Sequence, residues 1–170
     1  MEIVIYLALL AIIIPAIYAA IVGAPTVPSI GKNIDKALRE AGVSKNTKFY
    51  ELGTGTGKVS RKALMMGAAI TGYELSPLAY LWSFIALAST GKPFELKFGN
   101  FFKADLRDAD VVYIFLVPET MKRTANKLRK EIRSGSRVIS YAFPIEGWTP
   151  SKIISGDKEA NIYIYEASGN

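Results

Sequence analysis

The stretch "FYELGTGTGKVS", residues 49–60, constrains the fold more than any other part of this chain. A short apolar run meets three glycines in five positions, Gly53, Gly55 and Gly57, and a helix-forming segment follows. Strand, glycine turn and helix in that order open a doubly wound α/β sheet, whose ligands sit at the carboxyl ends of its strands. The alternation continues. "GKNIDKALREAGV" spaces Ile34, Ala37, Leu38 and Ala41 as one helix face, closed by Gly42. "AAITGYEL", "FELKFGNFF", "DVVYIFLV" and "SRVISYAFPI" read as further strands, and "SKIISGDKEANIYIYEA" as a closing hairpin. "SPLAYLWSFIALASTG" opens with Ser76 and Pro77 as cap and first helical residue. Its Leu78, Trp82 and Ile85 form one apolar side and Tyr80, Phe84 and Leu87 another, one of which must face the sheet.

Three ligands compete for the glycine loop. A phosphate cradle of the G-x-x-x-x-G-K-[ST] kind fails at both ends, because Leu52 stands five before Gly57 and Val59 follows Lys58. The dinucleotide pattern G-x-G-x-x-G comes closer, and Glu74 at the end of the second strand suits a ribose. Yet Glu51, two residues before the first glycine, would repel a pyrophosphate. An acid there suits a cationic group such as an amino acid's ammonium. S-adenosylmethionine carries one, with a carboxylate, a sulfonium and a ribose, and no phosphate. The glycines let the backbone approach it, the helix start near Gly57 faces its carboxylate, and Glu74 takes its ribose hydroxyls. Asn100, in "GNFF", is placed to read the adenine edge and Phe101 to pack on the ring face.

The chain has no Cys and no His. Thiolate nucleophiles, Ser-His-Asp triads and Cys/His zinc sites are thereby excluded, and no metal is expected. Residues Ile3 to Ala24 contain no charged side chain. Ile3 to Val22 as helix would span about 30 Å, the thickness of a bilayer's hydrocarbon core. A signal peptide fits poorly, because the only early charge is Glu2 and the apolar run is long. A buried helix is the other alternative. The reading is one transmembrane helix over 1–24, a linker over 25–33 and a ligand-binding domain over 34–170. Lys32, Lys36 and Arg39 are the first basic residues after the span, which puts the domain on the cytoplasmic side of a single-pass membrane protein.

The net charge of +6 is concentrated in one segment. Residues 121–137 hold seven Lys/Arg against one Glu, leaving 14 basic and 14 acidic residues elsewhere. Met121, Ala125, Leu128 and Ile132 form the apolar stripe of that helix, so Lys122, Arg123, Lys127, Arg129, Lys130 and Arg133 point outward. Such a face is either simply solvated or drawn to anionic lipid. No aromatic residue interleaves the charges, so nucleic acid is not expected.

Taken together, "VPS" (27–29), "ELGTGTGK" (51–58), "GYELSP" (72–77), "GNFF" (99–102), "VVYIFLVPETM" (111–121), "SRVISYAFPIEGWTP" (136–150) and "YIY" (163–165) resemble one branch of the seven-strand methyltransferases. That branch holds the protein-lysine methyltransferases of the adenine nucleotide translocase and the ATP synthase c-subunit, and small archaeal relatives. The resemblance implies a Rossmann-like seven-strand α/β sheet with a closing antiparallel hairpin, and S-adenosyl-L-methionine as cofactor. It extends the cofactor site to Pro28, Ser29, Thr54 and Leu75. It also implies a protein substrate with an accessible lysine, next to Phe115, Leu116, Val117 and Pro118 as a lysine channel and Trp148 as a lid or channel wall. A small-molecule or lipid-headgroup methyltransferase, and a non-catalytic adenosyl-ligand module, remain alternatives. The chain departs from the branch at Thr56 and Lys58, where an acid and an Arg are usual.

Overall fold

The computed structural model describes residues 3–6, 9–10, 13–14, 33–156 and 160–167. Five strands run parallel: β1 (Lys48–Leu52), β2 (Ala69–Glu74), β3 (Glu95–Phe98), β4 (Val111–Ile114) and β5 (Arg137–Tyr141). Then β7 (Ile162–Glu166) pairs antiparallel with both β5 and β6 (Lys152–Ile154), giving a seven-stranded sheet of order β3-β2-β1-β4-β5-β7-β6. The order reverses between β1 and β4. That switch point opens a crevice at the carboxyl ends of the strands, where doubly wound sheets bind ligands.

Every residue of β4 is buried, as a strand covered on both faces requires. Helices α1 (Ile34–Glu40), α2 (Lys58–Met65) and α3 (Pro77–Ala88) cover one face, packing Leu38, Val59, Ala63 and Leu87 onto Phe49, Ile70 and Ile139. The other face carries α4 (Pro118–Glu131), whose Met121, Ala125 and Leu128 meet Val112, Ile114, Val138 and Tyr165.

Several boundaries differ from expectation. β3 stops at Phe98 because Gly99 turns with φ +153° and Asn100 caps a short 3-10 turn, Phe101–Lys103. β5 stops at Tyr141 because Ala142 adopts φ +69°. Ile132 follows the end of α4 in an extended conformation, and Thr124 takes a place on the buried stripe instead. α3 also differs. Of the two apolar sides named above, the second turns toward the sheet, Leu87 being buried with Ala79 and Ser83 and the Tyr80 hydroxyl lying 3.4 Å from the Leu96 carbonyl oxygen of β3, whereas Leu78, Leu81, Trp82, Phe84 and Ile85 are exposed.

Residues 3–6, 9–10 and 13–14 are helical, with their apolar side chains exposed. Among the described residues no helix is long and apolar enough to cross a membrane. Most of the expected span and its linker, with Pro28 and Ser29, lies outside the described residues.

Candidate active site

Parallel pairing of β1 and β2 sets Glu51 opposite Gly72 and brings the ends of both strands to one edge. Beyond Leu52 the chain turns through Gly53, Gly55 and Gly57 at φ +91°, +54° and +73°. Side-chain-bearing residues are strained at such values. The surroundings of these glycines differ. A Cβ on Gly57 would lie 2.9 Å from the Cα and Oγ of Ser83, so here the loop closes on α3. A Cβ on Gly53 would meet nothing within 4 Å, which leaves the backbone open to a ligand. Ser83 Oγ also lies 2.8 Å from Thr54 Oγ1 and 3.2 Å from the Gly55 carbonyl oxygen, pinning the loop to the helix.

Glu51 is 2% exposed. Ser60 donates to its Oε2 twice, from the backbone N–H at 2.8 Å and the hydroxyl at 2.5 Å. Burial pushes the Glu51 carboxyl up to about 8; the Ser60 hydrogen bonds oppose the rise and nearby Glu74 adds to it. A buried acid in this state is suited to receive a cation, which would restore its ionised form.

Glu74 ties the rim together. Its Oε2 accepts the Gly55 N–H at 2.7 Å, and its Oε1 accepts those of Leu75 and Ser76, each at 2.8 Å. Ionised carboxylate oxygens have further lone pairs, so hydroxyl donors from a ribose add to this network without breaking it. The Gly99 N–H donates to the Glu74 carbonyl at 2.8 Å, which draws Asn100 to the same rim. Asn100 Oδ1 accepts the Phe102 N–H at 2.9 Å, while Phe101 is buried in the core beside Phe102.

The expected lysine channel is only partly assembled. Phe115 stands edge-on to Tyr141, centroids 4.9 Å apart, at the ends of β4 and β5. Val117 caps α4 and Pro118 is its exposed first residue, but Leu116 points into the core. Trp148 is placed elsewhere. It packs edge-on to Tyr165 at 5.8 Å, with the Arg129 guanidinium 5.7 Å from its ring, beside the second half of α4. Arg129 lies eleven residues along the helix from Pro118, about 16 Å at 1.5 Å per residue. A lid role for Trp148 is therefore corrected to packing under that end of the helix.

Three residues at this edge were not singled out from sequence. Ser60 orients Glu51. Tyr113 pairs with Glu51 in the β1–β4 register, and burial, then the Glu51 charge, holds its phenol well above the usual range. Tyr141 precedes left-handed Ala142, a conformation that costs energy and recurs at functional sites. The register of β1 against β4 was the available signal for Tyr113; nothing local marked Ala142.

The outward cations of α4 are largely engaged. Lys127 pairs with Glu131 at 2.6 Å, Arg133 pairs with Asp110, and Arg123 lies 4.0 Å over the Phe102 ring.

The residues present fit S-adenosylmethionine: an open glycine backbone, a buried acid suited to a cation, and a second acid at the end of the neighbouring strand. A family model described as the ANTKMT methyltransferase domain matches residues 51–152. The chain belongs to this family. It is 31% identical over 150 residues to a protein-lysine N-methyltransferase of Saccharolobus islandicus (strain REY15A), covering 83% of this chain and 92% of that one. It is 28% identical over 146 residues to the human lysine N-methyltransferase of the ATP synthase c-subunit, covering 85% of this chain and 62% of the relative. Its fold is similar to that of an RNA methyltransferase from Salinibacter ruber in complex with S-adenosyl-L-homocysteine. The TM-score is 0.80 at 24% identity, over 85% of this chain and 95% of that one. The chain is thus a methyltransferase, with S-adenosyl-L-methionine as its cofactor.

Proposed function

We propose that this methyltransferase transfers methyl groups to a lysine of a membrane protein, from a domain (34–170) held at the cytoplasmic side by the segment 1–24. The observation that carries the chemistry is Glu51, a buried acid facing the glycine loop with no cation beside it among the described residues. When bound, the cofactor supplies a methyl group on a sulfonium, open to in-line displacement. The domain's part is to position the acceptor amine and exclude water. Glu51 holds the cofactor's ammonium, Glu74 its ribose, and the turn at Asn100 borders the adenine. Phe115, Tyr141 and the Val117–Pro118 turn line the approach of the amine. A lysine must lose its proton first, against an ordinary value of about 10.4. Desolvation between aromatic rings lowers that value, so the site needs no histidine base. The lysine substrate is supported by the relatives' shared activity on protein lysines, and the anchor by the uncharged run and its exposed apolar helical residues.

The test is incubation of the detergent-solubilised chain with methyl-labelled S-adenosylmethionine and membranes of its own host, beside Glu51→Gln. The expected result is label in a discrete protein band, lost in the variant and assigned to lysine by mass spectrometry. Label confined to lipids or small molecules would overturn the lysine reading. Absence of label with intact cofactor binding would leave only a binding role.

A further inference from the structure

Helix α3 is built inside out. Its twelve residues, "PLAYLWSFIALA", contain no charge. The face against the sheet is small, Ala79 and Ser83 with Leu87, whereas Leu78, Leu81, Trp82 and Ile85 form a stripe on the opposite side, with Phe84 flanking it. Trp82 is 64% exposed, more than any other side chain of the stripe. The small face has a reason, because α3 must approach the glycine loop closely at Ser83. The large outer face has none within the domain, and apolar side chains so grouped mark a surface that meets something else.

We infer that this face lies on a lipid bilayer, inserted at the level of the headgroups. Two observations favour lipid over a second protein chain. The start of α2 abuts the middle of α3 through the Gly57–Ser83 contact, and there Lys58 and Arg61 are exposed and make no ion pair among the described residues. Neither helix contains an acidic residue, so the stripe has a cationic flank matched to anionic headgroups. Tryptophan is also the side chain that partitions best to the membrane–water boundary. The basic helix α4 does not compete for this role, since it covers the opposite face of the sheet and most of its cations are engaged internally.

The inference rests on the membrane half of the proposed function and adds an orientation to it. α3 begins three residues after Glu74, so the docked face adjoins the cofactor rim and keeps the crevice beside the bilayer.

The chain has two tryptophans, so Trp148→Phe leaves Trp82 as the sole indole, and Trp82→Phe leaves Trp148. Each full-length variant is reconstituted in phosphatidylcholine/phosphatidylglycerol vesicles, with and without acyl chains brominated near the headgroup. Trp82 emission is expected to shift to shorter wavelength and to fall by about half or more in brominated vesicles, while Trp148 is unaffected. Trp82 emission indifferent to bromine would overturn the inference. If that emission were water-like the face would be free, and if shielded it would be covered by a second copy or by residues 1–32. Flotation of the same samples in high salt separates the two readings. A chain that floats without bromine quenching keeps its anchor and loses the docked face. A chain that does not float loses the anchor, and quenching by excess vesicles then decides the face alone.

Discussion

At the residue scale the site turns on the cost of burying Glu51. Its carboxyl is raised from 4.5 to about 8 in the folded chain. The unfolded chain ionises from about pH 4.5 upward, so folding stability falls as pH rises through that window and levels off above 8. Glu51→Gln removes this cost. The variant should melt near the wild-type temperature at pH 4.5 and several degrees above it at pH 9, measured without cofactor by thermal denaturation. The same substitution deletes the proposed partner of the cofactor's ammonium, so affinity should fall about tenfold or more, the worth of a charge-assisted hydrogen bond. With that pairing, cofactor binding to the wild type at pH 7 ionises Glu51 and releases close to one proton. Calorimetry in buffers of different ionisation enthalpy would detect it, and no buffer dependence would contradict the pairing. The loop glycines give a second contrast. Gly57→Ala adds left-handed strain and a 2.9 Å clash with the α3 backbone, and should cost about 2–4 kcal/mol of stability. Gly53→Ala adds strain alone, about 1–2 kcal/mol, but puts a methyl group on the open side where the cofactor approaches. Urea denaturation should find the first more damaging, and cofactor titration the second.

At the element scale, α3 and α4 separate what the sequence reveals from what it hides. The strands, the doubly wound class of the sheet and the closing hairpin were legible, because each is written locally in periodicity and turn residues. So was the placement of Glu51 and Glu74 beside the glycine loop. The orientation of α3 was not legible. A helix apolar all round has no pattern to say which side is inward, and here the choice is made by Ser83, small enough to pass Gly57 and polar enough to meet Thr54. Trp148 was misplaced for a related reason: the run from Pro144 to Pro150 has no periodicity, and its position is set by Tyr165, whose hydroxyl accepts the Ile145 N–H at 2.8 Å. Helix α3 makes its own prediction. Ser83→Leu should destabilise the domain by about 1–3 kcal/mol through overpacking against the glycine loop. Leu81→Ser on the outer stripe should change stability by less than about 0.5 kcal/mol, since an exposed side chain loses little. Equal effects in a denaturant series would mean that the stripe is buried in the folded chain.

At the scale of the whole molecule, a positioned domain and a free one differ in effective concentration, not in chemistry. A tether confines the crevice to a thin layer above the bilayer, and short tethers correspond to millimolar local concentrations. Among the described residues, the sheet, both cores and the Glu51–Glu74 rim are built from residues 34–167. Removal of residues 1–24, retaining "VPS", should therefore leave the cofactor dissociation constant within about threefold of the full chain. Methylation of membrane proteins in host vesicles should fall by about tenfold or more at equal enzyme concentration, because each encounter becomes bimolecular. The two quantities, read by calorimetry and by label incorporation, are expected to part company. Equal losses in both would place residues 1–24 within the catalytic domain's own structure, and no loss in either would end the case for a membrane-held enzyme.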